Sequence, residues 1–299
     1  MPKILLFGAA GFLGLHIQSE LEHQGFETVG FGRSNNAKLQ ALDLTDLEAL
    51  RKMLEQQQPA AIINCAGRTL GTRFELVRDN ILVVTNLLGA ISEMVPSARL
   101  VHFGSAAEYG IAPGQNAITE DSPTRPEGQY GITKLAASSL VVQASLSHQV
   151  DGVVLRLSNP LGAGMPEGTL PGRAARLLKT ALEKSNTNIT LGPLEAYRDF
   201  IDARDVAKVA ILAASAPKPI QKLFNLGTGE ATQARDLIQN LARTAGFNGE
   251  ILERELGSAR SAGVSWQEAD ISRIKNWLAW QPQFSVLESL ERLWQSVQY

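Results

Sequence analysis

The sequence predicts an α/β protein: a doubly wound parallel sheet with a smaller C-terminal lobe. Three observations lead there. Short apolar runs alternate with stretches of helical periodicity through the first half of the chain, which is the pattern of a parallel sheet covered by crossover helices. The first apolar run ends in a glycine-rich turn that opens the first helix. After Ser158 this rhythm breaks into a Gly- and Pro-rich stretch followed by shorter elements. At 299 residues the chain suits one large α/β unit, or a nucleotide-sized domain with an added lobe.

Lys3–Gly8 is apolar and ends in glycine, so it reads as the first strand. Phe12–Gln24 repeats apolar positions at helical spacing, with Leu13, His16, Ile17 and Leu21 on one stripe. Glu27–Gly32 is the second strand. Thr45–Gln58 is a helix, which Thr45 and Glu48 are expected to open as a capping box. Ala61–Ala66, Leu100–Ser105 and Gly152–Ser158 read as strands, with helices Glu75–Met94 and Gln129–Ser147 between them. Asn159–Leu170 is expected to be a loop, Asp205–Ala214 a helix and Lys222–Leu226 a strand. Helices follow Gln233, with Trp277–Pro282 near the end. The expected division is therefore 1–158 as the sheet domain, with 200–226 returning to it, and 159–199 plus 227–299 as the lobe. Ligands of open parallel sheets bind at the carboxyl ends of the strands, where such a lobe would close.

Composition narrows the partners. The formal net charge is −2, and no Lys/Arg stripe is present, so neither nucleic acid nor an anionic membrane is an expected partner. No apolar run approaches membrane-spanning length. The N-terminus leads straight into a strand without a signal-like segment, and a single cysteine, Cys65, fits a reducing compartment; a cytoplasmic location is expected. Cys65 reads first as a small buried residue. Four scattered histidines offer no metal-ligand spacing, so no metal is expected.

The turn Gly8-Ala9-Ala10-Gly11-Phe12-Leu13-Gly14 joins strand to helix. Glycine permits the sharp turn and lets backbone N–H groups approach a pyrophosphate, while Gly14 lets the helix pack close to the sheet. The spacing G-x-x-G-x-x-G is one residue longer than the common dinucleotide fingerprint, and its place at a strand–helix junction marks a Rossmann-type site. An NAD site expects an acid at the end of the second strand. Here that strand ends Phe31-Gly32-Arg33-Ser34, with no carboxylate and a guanidinium suited to a 2′-phosphate. NADP(H) is therefore the expected cofactor, with NAD(H) possible; the plain alternative makes Arg33 a solvated turn residue. Asp43 and Leu44 can reach the adenine edge, and Cys65, Ala66 and Gly67 the ribose side.

Tyr130 and Lys134 lie one turn apart at the start of a helix, on one face. A neighbouring ammonium favours phenolate, so Tyr130 can exchange a proton with a carbonyl or hydroxyl oxygen, and Lys134 can also hold the nicotinamide ribose. Ser105 ends the fourth strand, where its hydroxyl can orient the reacting oxygen. A Y-x-x-x-K pair alone is common on exposed helices. Its meaning here comes from its order after the glycine turn and Ser105.

These segments, GAAGFLG, NCAG, GSAAEYG, YGITK, Arg198–Asp202 and FNLGTGE, resemble the extended short-chain dehydrogenase/reductases, a group of nucleotide-sugar epimerases, dehydratases and 4-keto reductases. The resemblance spans nearly the whole chain. It implies Ser105, Tyr130 and Lys134 as catalytic residues, Asn159 as a contact to the sugar or its phosphate, and Arg198 and Arg260 as phosphate-binding arginines. Arg198 also has a plain reading as partner of Asp199 or Asp202. It further implies a homodimer through helices Glu75–Met94 and Gln129–Ser147, with stripes such as Ile81, Val84, Leu88 and Leu135, Leu140, Val141. The dehydratases of the group carry an acid just after the catalytic Ser or Thr. Ala106 and Ala107 stand there, and methyl groups carry no protons, so dehydration is not expected; Glu108 is displaced by one position. The expected reaction is NADP(H)-dependent reduction of a nucleotide-activated 4-keto-(6-deoxy)hexose, as in the GDP-4-keto-6-deoxy-mannose reductases. The alternatives are an NAD-dependent 4-epimerase and a non-catalytic dinucleotide sensor, which would have lost Tyr130 or Lys134.

Overall fold

The computed structural model describes residues 2–34, 39–111, 114–254 and 263–298. Its first elements are β1 (Lys3–Phe7), α1 (Phe12–His23), β2 (Glu27–Gly32), β3 (Leu39–Ala41), α2 (Leu47–Gln57) and β4 (Ala61–Asn64). Next come α3 (Arg73–Val77), a π-helical turn (Arg78–Leu82), α4 (Val83–Met94), β5 (Arg99–Ser105), a 3₁₀ turn (Ala106–Glu108), α5 (Gln129–Leu146) and β6 (Asp151–Leu157). The second half holds β7 (Asn159–Leu161), α6 (Leu170–Glu183), β8 (Asn188–Leu191), β9 (Tyr197–Asp202), α7 (Ala203–Ser215) and β10 (Leu223–Leu226). It closes with β11 (Ala231–Gln233), α8 (Ala234–Thr244), β12 (Glu250–Glu253), α9 (Ser272–Leu278) and α10 (Val286–Gln298).

Seven parallel strands form the main sheet in the order β3-β2-β1-β4-β5-β6-β10. The strand order reverses between β1 and β4, so a crevice opens at their carboxyl ends, where doubly wound sheets bind ligands. Each face is sealed by helices because the inner strands are apolar on both sides. Ile17 and Leu21 of α1 and Val206, Val209 and Ala210 of α7 cover one face. Leu50 and Leu54 of α2, Leu87 and Ile91 of α4, and Ala137 and Val141 of α5 cover the other. A third core, with Leu178, Phe200, Leu237, Ile238 and Leu293 at its centre, lies in the second half of the chain. It carries a three-stranded sheet, β11-β9-β7, and a parallel pair, β12-β8.

Several expectations need correction. Helix α2 begins two residues later than Thr45, and its cap is Asp46, whose Oδ1 accepts the Ala49 N–H at 3.0 Å. Thr45 instead donates its N–H and hydroxyl to Asp43. The helix expected over Glu75–Met94 starts at Arg73 behind a Thr72/Glu75 capping box and passes through the π turn before α4. The stretch from Asn159 opens as strand β7 rather than loop. The tail divides its packing: Ala269, Ile271, Ile274 and Trp280 join the first core, while Leu290, Leu293 and Trp294 join the third. Asp205 of α7 fastens this tail by accepting the N–H groups of Gln283 and Phe284.

Candidate active site

The glycine turn follows β1 at the reversal point. Gly8 has φ of 77°, and a Cβ there would lie 2.7 Å from the Ala66 backbone nitrogen, so only glycine lets the ends of β1 and β4 approach this closely. A Cβ on Gly14 would fall 2.2 Å from the Gly8 carbonyl oxygen, which explains why α1 can lie against the turn. Gly11 is the N-cap of α1 and supplies no side chain, and the first turn, with Phe12 and Leu13, contains no acid. A helix start with uncapped N–H groups and no opposing carboxylate fits a diphosphate. Cys65, Ala66 and Gly67 face this turn from the end of β4. The Cys65 N–H donates to the Phe7 carbonyl at 3.0 Å, and burial pushes the thiol up to about 12. Gly67 lies under Asn80, which the sequence reading did not single out. Asn80 is buried in the π turn, exchanges two hydrogen bonds with the Arg68 backbone and donates to Thr133 of α5 at 3.0 Å.

At the end of β2, Arg33 and Ser34 are both exposed. Arg33 Nη2 lies 2.8 Å from Asp79 Oδ2, with the Arg33 side chain 75% exposed. Arg68 Nε and Arg78 Nε reach the same carboxylate at 2.6 and 2.7 Å. Burial opposes ionisation of Asp79, but its bonds to Arg78 and Arg68 outweigh it and hold the carboxyl at about 2. Arg33 is thus neither a plain solvated residue nor uncommitted: it is an exposed cation resting on a buried acid. Asp43 is exposed and held below the usual carboxylate range mainly by the Thr45 hydroxyl. Leu44 packs against the second core, with its carbonyl accepting from Asn86.

Ser105 is half-buried at the end of β5. Its Oγ accepts the Ala107 N–H at 3.2 Å, and its own N–H donates to Glu108 Oε1 at 2.8 Å, forming a capping box on the 3₁₀ turn. Tyr130 is half-buried in the first turn of α5, and Lys134 lies buried one turn on. Lys134 Nζ donates to the Phe103 carbonyl at 2.5 Å, two residues before Ser105, so α5 is fastened to the strand that presents the serine. Desolvation lowers the Lys134 ammonium to about 8, against the opposing pull of Glu108. Glu108 does not face the crevice. It is fully buried, with Arg156 Nε at 2.6 Å and the Ser138 hydroxyl at 2.7 Å.

The end of β5 pairs Ser105 with Leu157 of β6, so Asn159, two residues further on, emerges at the same edge of the sheet. Asn159 Nδ2 donates to the Asp199 carbonyl at 3.0 Å and to Gln267 Oε1 at 3.3 Å. Arg198 stands on the adjoining β9. Its guanidinium donates to the carbonyls of Tyr197 and Val264, both at 2.7 Å, and burial lowers its pKa. Neither plain partner holds it: Asp199 accepts from Thr228, Gly229 and Ala269, and Asp202 from Arg204 and Ser289. Among the described residues, Arg198 pairs with no carboxylate. Arg260 lies outside the described residues.

With this geometry in place, comparison with known proteins defines the class. Residues 4–227 match the NAD dependent epimerase/dehydratase family. The chain is 33% identical to the dTDP-6-deoxy-L-talose 4-dehydrogenase (NAD(P)(+)) of Kitasatospora kifunensis, covering 98% of this chain and 94% of that one. It is 26% identical to the GDP-6-deoxy-D-mannose reductase of Pseudomonas aeruginosa over 98% and 97% of the two chains. In structure it is similar to RMD from Pseudomonas aeruginosa complexed with NADPH, with a TM-score of 0.87, 22% identity, and 100% and 99% of the chains covered. The chain belongs to the NAD dependent epimerase/dehydratase family, the extended short-chain dehydrogenase/reductases, and has their Rossmann-like parallel sheet.

Proposed function

We propose that this protein reduces a nucleotide-activated 4-keto-(6-deoxy)hexose to the 4-hydroxy sugar, with NADP(H) preferred over NAD(H). The observation that carries this reading is the convergence at one sheet edge of the glycine turn, Ser105 and the Tyr130–Lys134 face of α5. The two curated relatives named above, by their names, also act at C4 of a nucleotide sugar or reduce one. A bound nicotinamide supplies the hydride. The turn of Gly8, Gly11, Phe12, Leu13 and Gly14 would hold the diphosphate of the dinucleotide; the N–H groups of Gly8 and Gly11 are spent on the Phe31 and Gly8 carbonyls, so those of Phe12, Leu13 and Gly14 at the start of α1 would be the donors. Cys65, Ala66 and Gly67 border its ribose side, and Asp43 and Leu44 its adenine edge.

Ser105 donates a hydrogen bond to the C4 oxygen and orients it. Tyr130 gives its phenolic proton to that oxygen as the carbonyl is reduced, and Lys134 as ammonium lowers the cost of the phenolate left behind. Arg198 and Arg260 bind the substrate diphosphate, and Asn159 orients the sugar side. The half-buried guanidinium of Arg198, hydrogen-bonded to two carbonyls but paired with no carboxylate among the described residues, supports that role, because such a cation gains from an arriving anion. Dehydration is disfavoured because Ala106 and Ala107 carry no acid and Glu108 is turned into the core.

Arg33 and Ser34 at the end of β2 favour a 2′-phosphate. One observation supports an NAD-dependent 4-epimerase instead: Arg33 is already engaged by Asp79. The lobe built from 159–199 and part of 227–299 closes over residues 1–158, and the enzyme works as a cytoplasmic homodimer. Among the described residues no helix is long and apolar enough to cross a membrane.

The test is to follow oxidation of NADPH and of NADH with a panel of dTDP-, GDP- and UDP-linked 4-keto-6-deoxyhexoses. Stoichiometric conversion to the 4-hydroxy sugar, faster with NADPH, is expected. Purified protein carrying tightly bound NAD⁺, with no net oxidation of added NADPH, would sink the reductase reading and favour the 4-epimerase.

A further inference from the structure

The GSAAEYG segment contains an acid that the reaction does not use. Glu108 is 0% exposed, and a buried carboxylate is expensive unless it is paired and hydrogen-bonded. It is both. Oε1 accepts the Ser105 N–H and the Ser138 hydroxyl, and Oε2 accepts Arg156 Nε at 2.6 Å. The backbone is shaped around it: a Cβ on Gly104 would fall 2.6 Å from Oε1. Arg156 in turn lies over the Tyr109 ring at 4.6 Å, and the Tyr109 hydroxyl donates to Asn225 at 2.6 Å. Arg156 Nη1 has no hydrogen-bond partner among the described residues and borders a cavity of about 10 Å³, also lined by Ser158, Gln267 and Glu268. That is room for one water molecule. The network therefore runs from the turn after Ser105 to the segment that presents Asn159.

A buried ion pair is a poor way to add stability, since an apolar pair of the same volume usually does as well. Its position suggests another use. Ser138 stands one helical turn beyond Lys134 on the same face of α5, so Glu108 is gripped by the residue next to the lysine on that face. We propose that Glu108 is a positioning residue of this active site: its Arg156-paired carboxylate locks the backbone of Ser105 and supplies the fixed negative charge that keeps Lys134 an ammonium. This rests on the roles given above to Ser105 and Lys134.

Cys65 faces Lys134 from the end of β4, His102 from β5, Glu108 from the 3₁₀ turn, and Tyr130 from its own helix. His102 is held neutral by burial and by the lysine itself, and the Cys65 thiol is pushed up to about 12. Glu108 is thus the one carboxylate in this set, and it acts against the desolvation that lowers Lys134. Arg156, behind Glu108, offsets part of its field.

Glu108→Gln keeps the size and the acceptor for the Ser105 N–H and removes the charge. It is expected to lower kcat ~10-fold with little change in the sugar KM, and to move the alkaline limb of kcat/KM about one pH unit down, because Lys134 then loses its proton sooner. Glu108→Asp, which restores the charge, should return the limb towards wild type. Because the first variant leaves Arg156 unpaired, Glu108→Gln/Arg156→Met, with both charges removed, is measured beside it and should show a smaller shift in the same direction. NADPH binding, followed by fluorescence across pH without any sugar, gives a second readout through Lys134 that does not depend on the substrate assignment. A folded single or double variant with wild-type kcat and an unmoved alkaline limb in both readouts overturns the proposal. A wild-type enzyme that binds NADPH with the expected limb yet turns over no 4-keto sugar overturns the reaction assignment alone.

Discussion

In the proposed reaction Tyr130 and Lys134 divide the chemistry between a proton and a charge, and single substitutions should separate the two. Tyr130→Phe keeps the ring and removes the donor, so turnover should fall ~10²–10⁴-fold while NADPH affinity, read by fluorescence, stays near wild type. Retention of near-full turnover would refute the assigned proton donor. Lys134→Ala should weaken both turnover and cofactor binding. Arg198 carries no carboxylate of its own, so Arg198→Ala should raise the sugar-nucleotide KM ~10-fold or more and leave that of the cofactor nearly unchanged. Equal effects on both constants would mark Arg198 as a residue that merely ties β9 to Val264. At the cofactor end, Arg33→Ala should cost NADPH ~10–100-fold in Kd and NADH little. Gly32→Asp adds an acceptor where a Cβ meets only ordinary contacts, the nearest 3.6 Å away, so it should shift preference towards NADH without straining the fold. Unchanged NADPH/NADH selectivity in both variants would remove Arg33 from the cofactor site.

Single elements show where local pattern suffices and where it does not. Of the stripe Leu13, His16, Ile17 and Leu21 read from α1, Ile17 and Leu21 are buried and Leu13 and His16 half-buried, because helical periodicity reports the face that meets the sheet. The cap of α2 falls at Asp46, one residue after the expected Thr45. Thr45 and Asp46 both suit an N-cap, and the choice depends on Asp43, which claims the Thr45 hydroxyl. Asp46→Ala should therefore cost about 1 kcal/mol in denaturant unfolding, and a loss near zero would return the cap to Thr45. Strand β5 holds a less expected residue. His102 is buried, takes Asn64 Nδ2 at 3.2 Å on Nδ1 and has no partner for Nε2 among the described residues. Burial, and secondarily Lys134, put its folded-state pKa well below 6.5. The unfolded chain then binds a proton that the folded chain refuses, so this contribution to stability is full above the unfolded pKa of 6.5 and is lost as pH falls below it. The thermal midpoint should decline below that pH, and His102→Leu should flatten the decline. An identical slope in the variant would mean that groups other than His102 govern it.

At the scale of the molecule, the expected pairing of two copies can be restated with better residues. Val84 and Val141 belong to the chain's own core and cannot reach a partner. Phe74, Val77 and Leu82 on α3 and the π turn, and Ile132, Leu140 and Leu146 on the neighbouring α5, are among the exposed large apolar side chains. Phe74 is 72% and Ile132 53% exposed, which is unusual for two large apolar residues on packed helices. Sedimentation at micromolar concentration should give a dimer, and Phe74→Glu/Leu140→Glu should give a folded monomer. A wild-type monomer, or a variant that stays dimeric, would exclude this face.

The amino-acid sequence alone determined the alternation of strands and helices, the glycine turn, and the order Ser105, Tyr130, Lys134. These features depend on residues near one another in the chain: apolar period, turn chemistry, and the one-turn spacing of a helix. It did not reveal β3 or β7, each three residues long and too short to carry a period of its own. Nor could it show that Asp79, 46 residues beyond Arg33, gathers three arginines, or that Asn80 bridges the β4 loop to α5. The case of Glu108 is the clearest. Its place after Ser105 suggested an acid displaced by one position. Only the packing of α5 and β6 against the turn decided that its carboxylate would point into the core, because Arg156 and Ser138, which solvate it there in place of water, come from distant segments.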